Sequence, residues 1–325
     1  MSKYDVFGMC NPLYDLQAEV SDETLSRLGY EKGSMSLIGH EQQRELVATI
    51  YESLVNSEPG GSGANTMVGV AMLGGNPVYT GNVGTDEHAR LYRDGLEKLG
   101  VKPNLGHSDT DTGISVILIT PDTQRTMCTY LGACLELGPE DVNEEDLINS
   151  EYIYVTAYLW DTDLQKEAVL KAMSVANDND VKVALSLSDP FCVGRHKDEL
   201  KKLVQNHVNL VFGNFQEAQE LTDTGTPEEA AQALAEYADI AVVTMDARGS
   251  LICAKGETHR IPAYPVQAVD TTGAGDMYAG GLLYGLTQGL PLDRTGKIAS
   301  WCAAQVVAKL GPRLESIDQS EISSL

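Results

Sequence analysis

Short apolar runs with the character of buried strands recur along the chain at 78–83, 114–119, 152–157, 181–187, 210–212 and 240–244. Between several of them lie stretches with the apolar spacing of amphipathic helices, at 86–99, 165–177 and 227–237. The last of these opens with Thr226 as a cap and Pro227 at the first helical position. A chain that alternates in this way has few solutions, and the main one is a mostly parallel sheet covered by helices. Its 325 residues suffice to bury a sizeable core as one α/β domain, or as a domain with a small appendage.

Two regions break the rhythm: residues 13–40, and residues 111–131, where 126–130 follow the turn-forming Pro121-Asp122. Both read as strand pairs without enough partner helices to be covered on two faces. A small sheet standing off the main body as a lid accommodates them. The expected division is therefore a core of 1–12, 41–110 and 132–325, with a lid of 13–40 and 111–131 over the substrate site. No internal repeat, low-complexity tract or Pro/Gly-rich linker points to a second independent domain.

Composition excludes several function classes. With 47 acidic against 23 basic residues the net charge is −24, a field that repels phosphate backbones and anionic membrane surfaces, so neither nucleic acid nor membrane is expected as a partner. The six cysteines lie far apart, without a CxxC pair or histidines at zinc-ligand spacing, and no structural metal is expected. They read as reduced thiols of a cytoplasmic protein. No secretory leader or membrane-length apolar run is apparent.

The chemistry concentrates in Asp270-Thr271-Thr272-Gly273-Ala274-Gly275-Asp276, directly before an apolar helical stretch with Met277, Leu282, Leu283 and Leu286. Small residues at a helix start let a ligand approach free backbone N–H groups, and the helix dipole adds positive potential, so Gly273, Ala274 and Gly275 form a candidate anion cradle. Asp276 lies in the same first turn, where the positive helix end is expected to lower its pKa. Even a weak base suffices for phosphoryl transfer through a loose transition state. Gly280, Gly281 and Gly285 each cost about 1 kcal/mol in a helix relative to alanine, so close packing is expected there.

A second glycine-rich string, Pro59-Gly60-Gly61-Ser62-Gly63-Ala64-Asn65-Thr66, leads into an expected helix over 65–73. Its glycines admit a hydroxyl to the backbone, and Asn65 offers both donor and acceptor. Asn11 and Asp15 follow the first strand, 4–9, where α/β sheets place ligands, and Asp15 can accept from two neighbouring sugar hydroxyls. Two other nucleotide motifs fail on their letters. Gly296-Lys297 is followed by Ile298, which removes a Walker loop, and Tyr278 and Thr66 stand where a dinucleotide fingerprint needs its third glycine.

Four ordered motifs, Gly60 to Asn65, Gly81-Asn82-Val83-Gly84-Thr85-Asp86, Asn214-Phe215-Gln216-Glu217 and the 270–276 run, give the chain a resemblance to the ribokinase/PfkB-like carbohydrate kinase superfamily over essentially its whole length. The resemblance implies a ribokinase-like three-layer α/β/α core with a mostly parallel central sheet and a small β-sheet lid. It implies Asp276 as catalytic base and Gly273, Ala274 and Gly275 as the anion hole. Asn11, Asp15, Gly60, Gly61 and Asn65 would hold the substrate. Asn214 and Glu217 would organise Mg2+ and the ATP phosphates through water. Thr244 and Gly249 would lie on the nucleotide side, where Asp246 replaces the usual glycine. The resemblance also suggests K+ near Asp270 and Thr272.

Within the superfamily the strings at 10–15 and 60–66, with Arg125-Thr126-Met127-Cys128-Thr129-Tyr130-Leu131-Gly132, look most like the adenosine kinase branch. That likeness implies that Arg125 reaches the ATP phosphates. Residues 1–65 hold only Lys3, Arg27, Lys32 and Arg44 as cations, which favours an uncharged acceptor, a nucleoside or a free sugar. Tyr158 and Trp160 are candidate walls for a base. The expected activity is transfer of the ATP γ-phosphate to the 5'-hydroxyl of a nucleoside, most readily adenosine. The alternatives are a ribose- or fructose-like sugar acceptor, and a non-catalytic nucleoside or sugar sensor, against which Asp276 speaks. Either a monomer or a homodimer fits the sequence.

Overall fold

The computed structural model describes residues 3–314 and 316–325. Its strands, in chain order, are β1 (Tyr4–Met9), β2 (Leu13–Glu19), β3 (Met35–Leu37), β4 (Leu54–Pro59), β5 (Pro77–Val83), β6 (Lys102–His107), β7 (Gly113–Ile119), β8 (Arg125–Tyr130), β9 (Ser150–Thr156), β10 (Lys182–Ser186), β11 (Leu210–Asn214), β12 (Ile240–Thr244), β13 (Ser250–Ala254) and β14 (Glu257–Ile261). The helices are α1 (Asp22–Leu28), α2 (His40–Ile50), α3 (Ser62–Met72), α4 (Glu87–Lys98), α5 (Glu144–Ile148), α6 (Asp163–Asp178), α7 (Pro190–His207), α8 (Phe215–Thr222), α9 (Pro227–Ala235), α10 (Ala274–Thr287), α11 (Leu292–Val307) and α12 (Gln319–Ser324). Nine strands form one sheet in the order β14-β13-β12-β11-β10-β9-β1-β5-β6, and five form a second in the order β3-β8-β7-β2-β4.

The large sheet is parallel from β12 to β6, with β13 and β14 antiparallel at one edge. Side chains alternate across a strand, and here they alternate between two cores. In β9, Ile153 and Val155 pack with Ala168, Val169 and Met173 of α6, whereas Tyr152 and Tyr154 face the cluster that holds Met67 of α3 and Tyr278 and Leu282 of α10. Strands β10, β11 and β12 divide their residues in the same way. Continuous apolar strands are thus accounted for by burial on both faces, and the expected three-layer α/β/α arrangement is the one the chain adopts. Strand order reverses at β1, which lies between β9 and β5, so a crevice opens beyond its carboxyl end.

The small sheet differs in extent from the reading above. It takes in β4, from the stretch 41–110 assigned to the core, because β4 pairs antiparallel with β2, with Asp15 opposite Glu58. Sequence periodicity hides this edge strand, since Asn56-Ser57-Glu58 are polar and largely exposed. Residues 13–40 form more than a strand pair, for α1 intervenes, capped by Ser21 and ended by Gly29 in the left-handed conformation. Helix α3 also starts earlier than expected, at Ser62. Thr226 caps α9 as expected, accepting from Glu229 N at 3.2 Å.

The helical glycines mark close helix crossings. A Cβ on Gly280 would stand 2.9 Å from Thr66 O and 3.1 Å from Gly69 Cα, so α10 runs against α3 almost backbone to backbone. A Cβ on Gly281 would stand 2.8 Å from Ala299 Cα of α11. Because backbone atoms cannot step aside, Gly281→Val is expected to destabilise the protein by about 2–3 kcal/mol, read as a lower urea midpoint at unchanged slope. An unchanged midpoint would show that α11 shifts freely.

Candidate active site

The α3–α10 crossing brings two helix N-termini together at the crevice. Gly273 takes φ 76°, a left-handed conformation in which a Cβ would also run into Pro312, so glycine is required on both counts. The turn it makes starts α10 at Ala274. The position where a Cβ of Gly275 would stand has no neighbouring atom, so the helix start is open on that side, while the Ala274 N–H already donates to Thr271 O at 3.2 Å.

Asp276 is held from the other helix. Ser62 Oγ donates to Asp276 Oδ1 at 2.6 Å, and Asn65 Nδ2 donates to Asp276 Oδ2 at 2.8 Å. The carboxylate borders the crevice but is surrounded by protein, and burial raises its pKa, while the bonds from Ser62 and Asn65 and the charge of Arg313 oppose the rise. The direction is opposite to the lowering expected from the helix end, and its largest cause is loss of hydration on burial. A raised pKa makes Asp276 a better proton acceptor than the sequence implied.

Asp15, in β2, is buried beside Gly60, where any Cβ would overlap its carboxylate. Gly61 has φ 88° and lies 2.5 Å, measured from an added Cβ, from Asn11 O. Asn11, Asp15, Gly60, Gly61 and Asn65 are thus drawn together where the two sheets join. Burial pushes the Asp15 carboxyl up to about 7, with Arg313 opposing and Glu58 adding to the rise. Asn11 Oδ1 accepts from Gln165 Nε2 at 2.8 Å, and Gln165 is fully buried. The Asn65 amide donates to Asp276 on one side and accepts from Arg313 Nε at 2.7 Å on the other.

Of the residues expected to face the nucleotide, Asn214 and Thr244 are register partners at the ends of β11 and β12. Asn214 and Glu217 form a closed capping box: Asn214 Oδ1 accepts from Glu217 N at 2.9 Å, and Glu217 Oε2 accepts from Asn214 N at 3.0 Å. Burial raises Glu217 to about 7; the Asn214 N–H opposes this, and Asp189 and Asp276 add to it. Gly249 could carry no side chain without meeting Ile261 O. Asp246 is exposed at φ 51°, a left-handed conformation that explains a glycine preference at this position and that aspartate tolerates.

Arg125 of β8 reaches across from the small sheet, its Nη2 lying 2.7 Å from Asp270 Oδ2, with both side chains 8% exposed. Its Nε and Nη1 are buried without partners, an arrangement that an anion in the cradle would relieve. Asp270 also accepts from Thr272 N at 3.0 Å and Gly311 N at 2.9 Å. The place assigned to K+ at Asp270 and Thr272 therefore has a guanidinium against the carboxylate, and a monovalent cation would compete with it. Tyr158 stands near Asp276 and Asp189, but Trp160 belongs to the core and donates to Glu199 at 2.8 Å. Sequence reasoning missed Ser62, Gln165, Asp189 and Arg313. Only Ser62, inside the glycine-rich string, carried a signal.

Residues 33–319 match the description pfkB family carbohydrate kinase. The chain belongs to that family. Yeast (Saccharomyces cerevisiae) adenosine kinase is 29% identical over 94% of this chain and 95% of its own length. The 5-dehydro-2-deoxygluconokinase of Bacillus subtilis is 30% identical over 80% of this chain and 85% of its own. A probable sugar kinase protein from Rhizobium etli CFN 42 superposes with a TM-score of 0.92 at 35% identity, covering 100% of this chain and 99% of that one. Adenosine kinase from Sinorhizobium meliloti gives 0.90 at 36% identity, covering 99% of each. This pfkB protein is accordingly a small-molecule kinase with a ribokinase-like fold.

Membership implies use of ATP, and usually a divalent metal. The residues fit both. The Gly273–Gly275 turn and the unpartnered Arg125 donors suit phosphate, and Glu217 feels the negative charge of Asp189 and Asp276, which a divalent cation would relieve. Among the described residues no cluster of three or more carboxylate, thiol or imidazole side chains is placed to bind the ion directly. Holding by water and phosphate fits that arrangement.

The raised carboxyls set a pH dependence. A folded-state pKa above the unfolded value means that the native protein binds more protons, so stability falls as pH rises from about 4.5 towards 7. Glu217→Gln, which keeps the capping box, removes that fall. Its melting temperature is expected to exceed that of the parent by roughly 2–5 °C at pH 8 and to match it near pH 4.5. Thermal melts across this range check it; a gain independent of pH would contradict the assignment.

Proposed function

We propose that this kinase transfers the γ-phosphoryl group of ATP to a hydroxymethyl group of a nucleoside, most readily the 5'-hydroxyl of adenosine. The observation that carries the reading is the placement of Asp276 between the anion cradle and the acceptor residues. Asp276 lies one residue beyond Gly275 and is bonded to Asn65, the neighbour of the Asp15–Gly60 pair. A hydroxyl presented to it loses its proton to the carboxylate as its oxygen bonds to phosphorus, and the bond from phosphorus to the ADP oxygen breaks. Backbone N–H groups of the Gly273–Gly275 turn and the free donors of Arg125 stabilise charge on the transferring group. Asn214 and Glu217 would hold Mg2+ through water, and the ion would supply further charge neutralisation on the phosphates. Thr244 and Gly249 border the nucleotide.

At the other end Asp15, Asn11, Gly60 and Gly61 receive the acceptor's remaining hydroxyls. The small sheet acts as the lid, closed by the Arg125–Asp270 pair. Support for a nucleoside comes from the adenosine kinase of S. meliloti, alike end to end, and from Tyr158 at the crevice as a wall for a base. A second reading, a free sugar acceptor, is favoured by the B. subtilis relative. The protein would work in the cytoplasm, in purine salvage on the first reading.

An ADP-release assay over adenosine, other nucleosides, ribose, fructose and 5-dehydro-2-deoxygluconate separates the two. Adenosine is expected to give the highest kcat/KM, and turnover of a sugar with none of adenosine would overturn the choice. Asp276→Asn is expected to lower kcat between about a hundredfold and ten-thousandfold with little change in the KM for ATP. Near-normal turnover would sink the assignment of Asp276 as base.

A further inference from the structure

Arg313 follows α11 in a Gly311-Pro312 turn, far in sequence from every motif, yet its side chain is buried at 7% exposure. Its Nε donates to Asn65 Oδ1 at 2.7 Å, and Asn65 Nδ2 in turn donates to Asp276 Oδ2 at 2.8 Å. A guanidinium has only donors and a carboxylate only acceptors, so the amide between them can take one orientation alone. Without the arginine, Asn65 could turn its oxygen towards Asp276, where two acceptors would repel. The Nη2 of Arg313 is buried without a partner. An arginine kept only for packing would not leave that donor unmet, and burying its charge beside two carboxylates needs a reason in the site.

From this geometry we infer that Arg313 is the positioning residue for the base: acting through Asn65, it fixes the donor on Asp276, and its charge favours the anionic form of that buried carboxylate. Other titratable groups around Asp276 are Asp15, Glu217, Tyr154, Tyr158 and Cys10. None is a cation, so Arg313 is the one positive group acting on Asp276 among these described neighbours. The charge matters because burial favours the protonated acid, which cannot accept a proton from the acceptor hydroxyl. The inference rests on Asp276 being the base.

The test compares Arg313→Met and Arg313→Lys with the parent, each verified as folded by circular dichroism and thermal melting. The Asp276 carboxyl is followed by 13C NMR titration, with its signal assigned by loss in Asp276→Asn. Removing a nearby cation raises a carboxyl pKa, so Arg313→Met is expected to move the Asp276 titration up by about one unit or more. The acid limb of kcat against pH should move up with it by the same amount, so that kcat falls by about tenfold well below the Asp276 pKa while the acceptor KM changes little. Arg313→Lys should restore most of the titration shift. A folded Arg313→Met with an unmoved Asp276 titration overturns the inference, as does Arg313→Lys shifting as far as Arg313→Met. A loss confined to acceptor KM also overturns it, since that would make Arg313 a substrate contact. If Asp276→Asn keeps its turnover, the base assignment fails instead, and the titration still decides whether Arg313 acts on Asp276.

Discussion

The approach of α3 to α10 at Gly69 and Gly280 is the contact on which the site depends. The two helices begin at glycine-rich strings more than two hundred residues apart, and each string alone is only a helix start. Close crossing turns them to face one another, so that Ser62 and Asn65 on one helix bond the carboxylate of Asp276 on the other. Side chains at the crossing would push the helices apart by more than a hydrogen bond can span. The entropic penalty of helical glycine is thus accepted for the geometry around the Asp276 carboxylate.

The large sheet serves that contact. Its alternation of two apolar faces fixes α3 and α10 on one side and α6 to α9 on the other, and the reversal at β1 leaves room beyond the strand ends. Asn11, Thr156, Asp189 and Asn214 all fall at or just past carboxyl ends of neighbouring parallel strands. The small sheet enters through short connections at both ends: Asn11-Pro12 leads out to β2, and Gly60-Gly61 leads back from β4 into α3.

Much of this was legible in the letters because periodicity and glycine placement carry local information. The core strands 78–83, 152–157 and 240–244, the cap at Thr226 and the helix start at Gly273 follow from rules that act within a few residues. What escaped depends on partners distant in sequence. Strand β4 is polar and is a strand only because β2 lies beside it. Arg313 is an ordinary cation until the end of α11 carries it under Asn65. The direction of the Asp276 shift was misjudged for the same reason: the dipole belongs to its own helix and can be read locally, whereas burial is contributed by the whole fold. The pairing of Asp270 with Arg125 is likewise a contact between segments distant in sequence, supplied by the small sheet.

The division of the acceptor residues between two sheets has a consequence for selectivity against solvent. Asp15 belongs to the smaller sheet and Asp276 to α10, packed on the larger, so on the proposed reading an acceptor reaches both only by spanning the joint between them. A molecule with hydroxyls at both ends does this and holds its reacting oxygen at the carboxylate. Water touches one side at a time and gains nothing from the other. On the proposed reading, this geometry suppresses wasteful hydrolysis of the phosphate donor between turnovers.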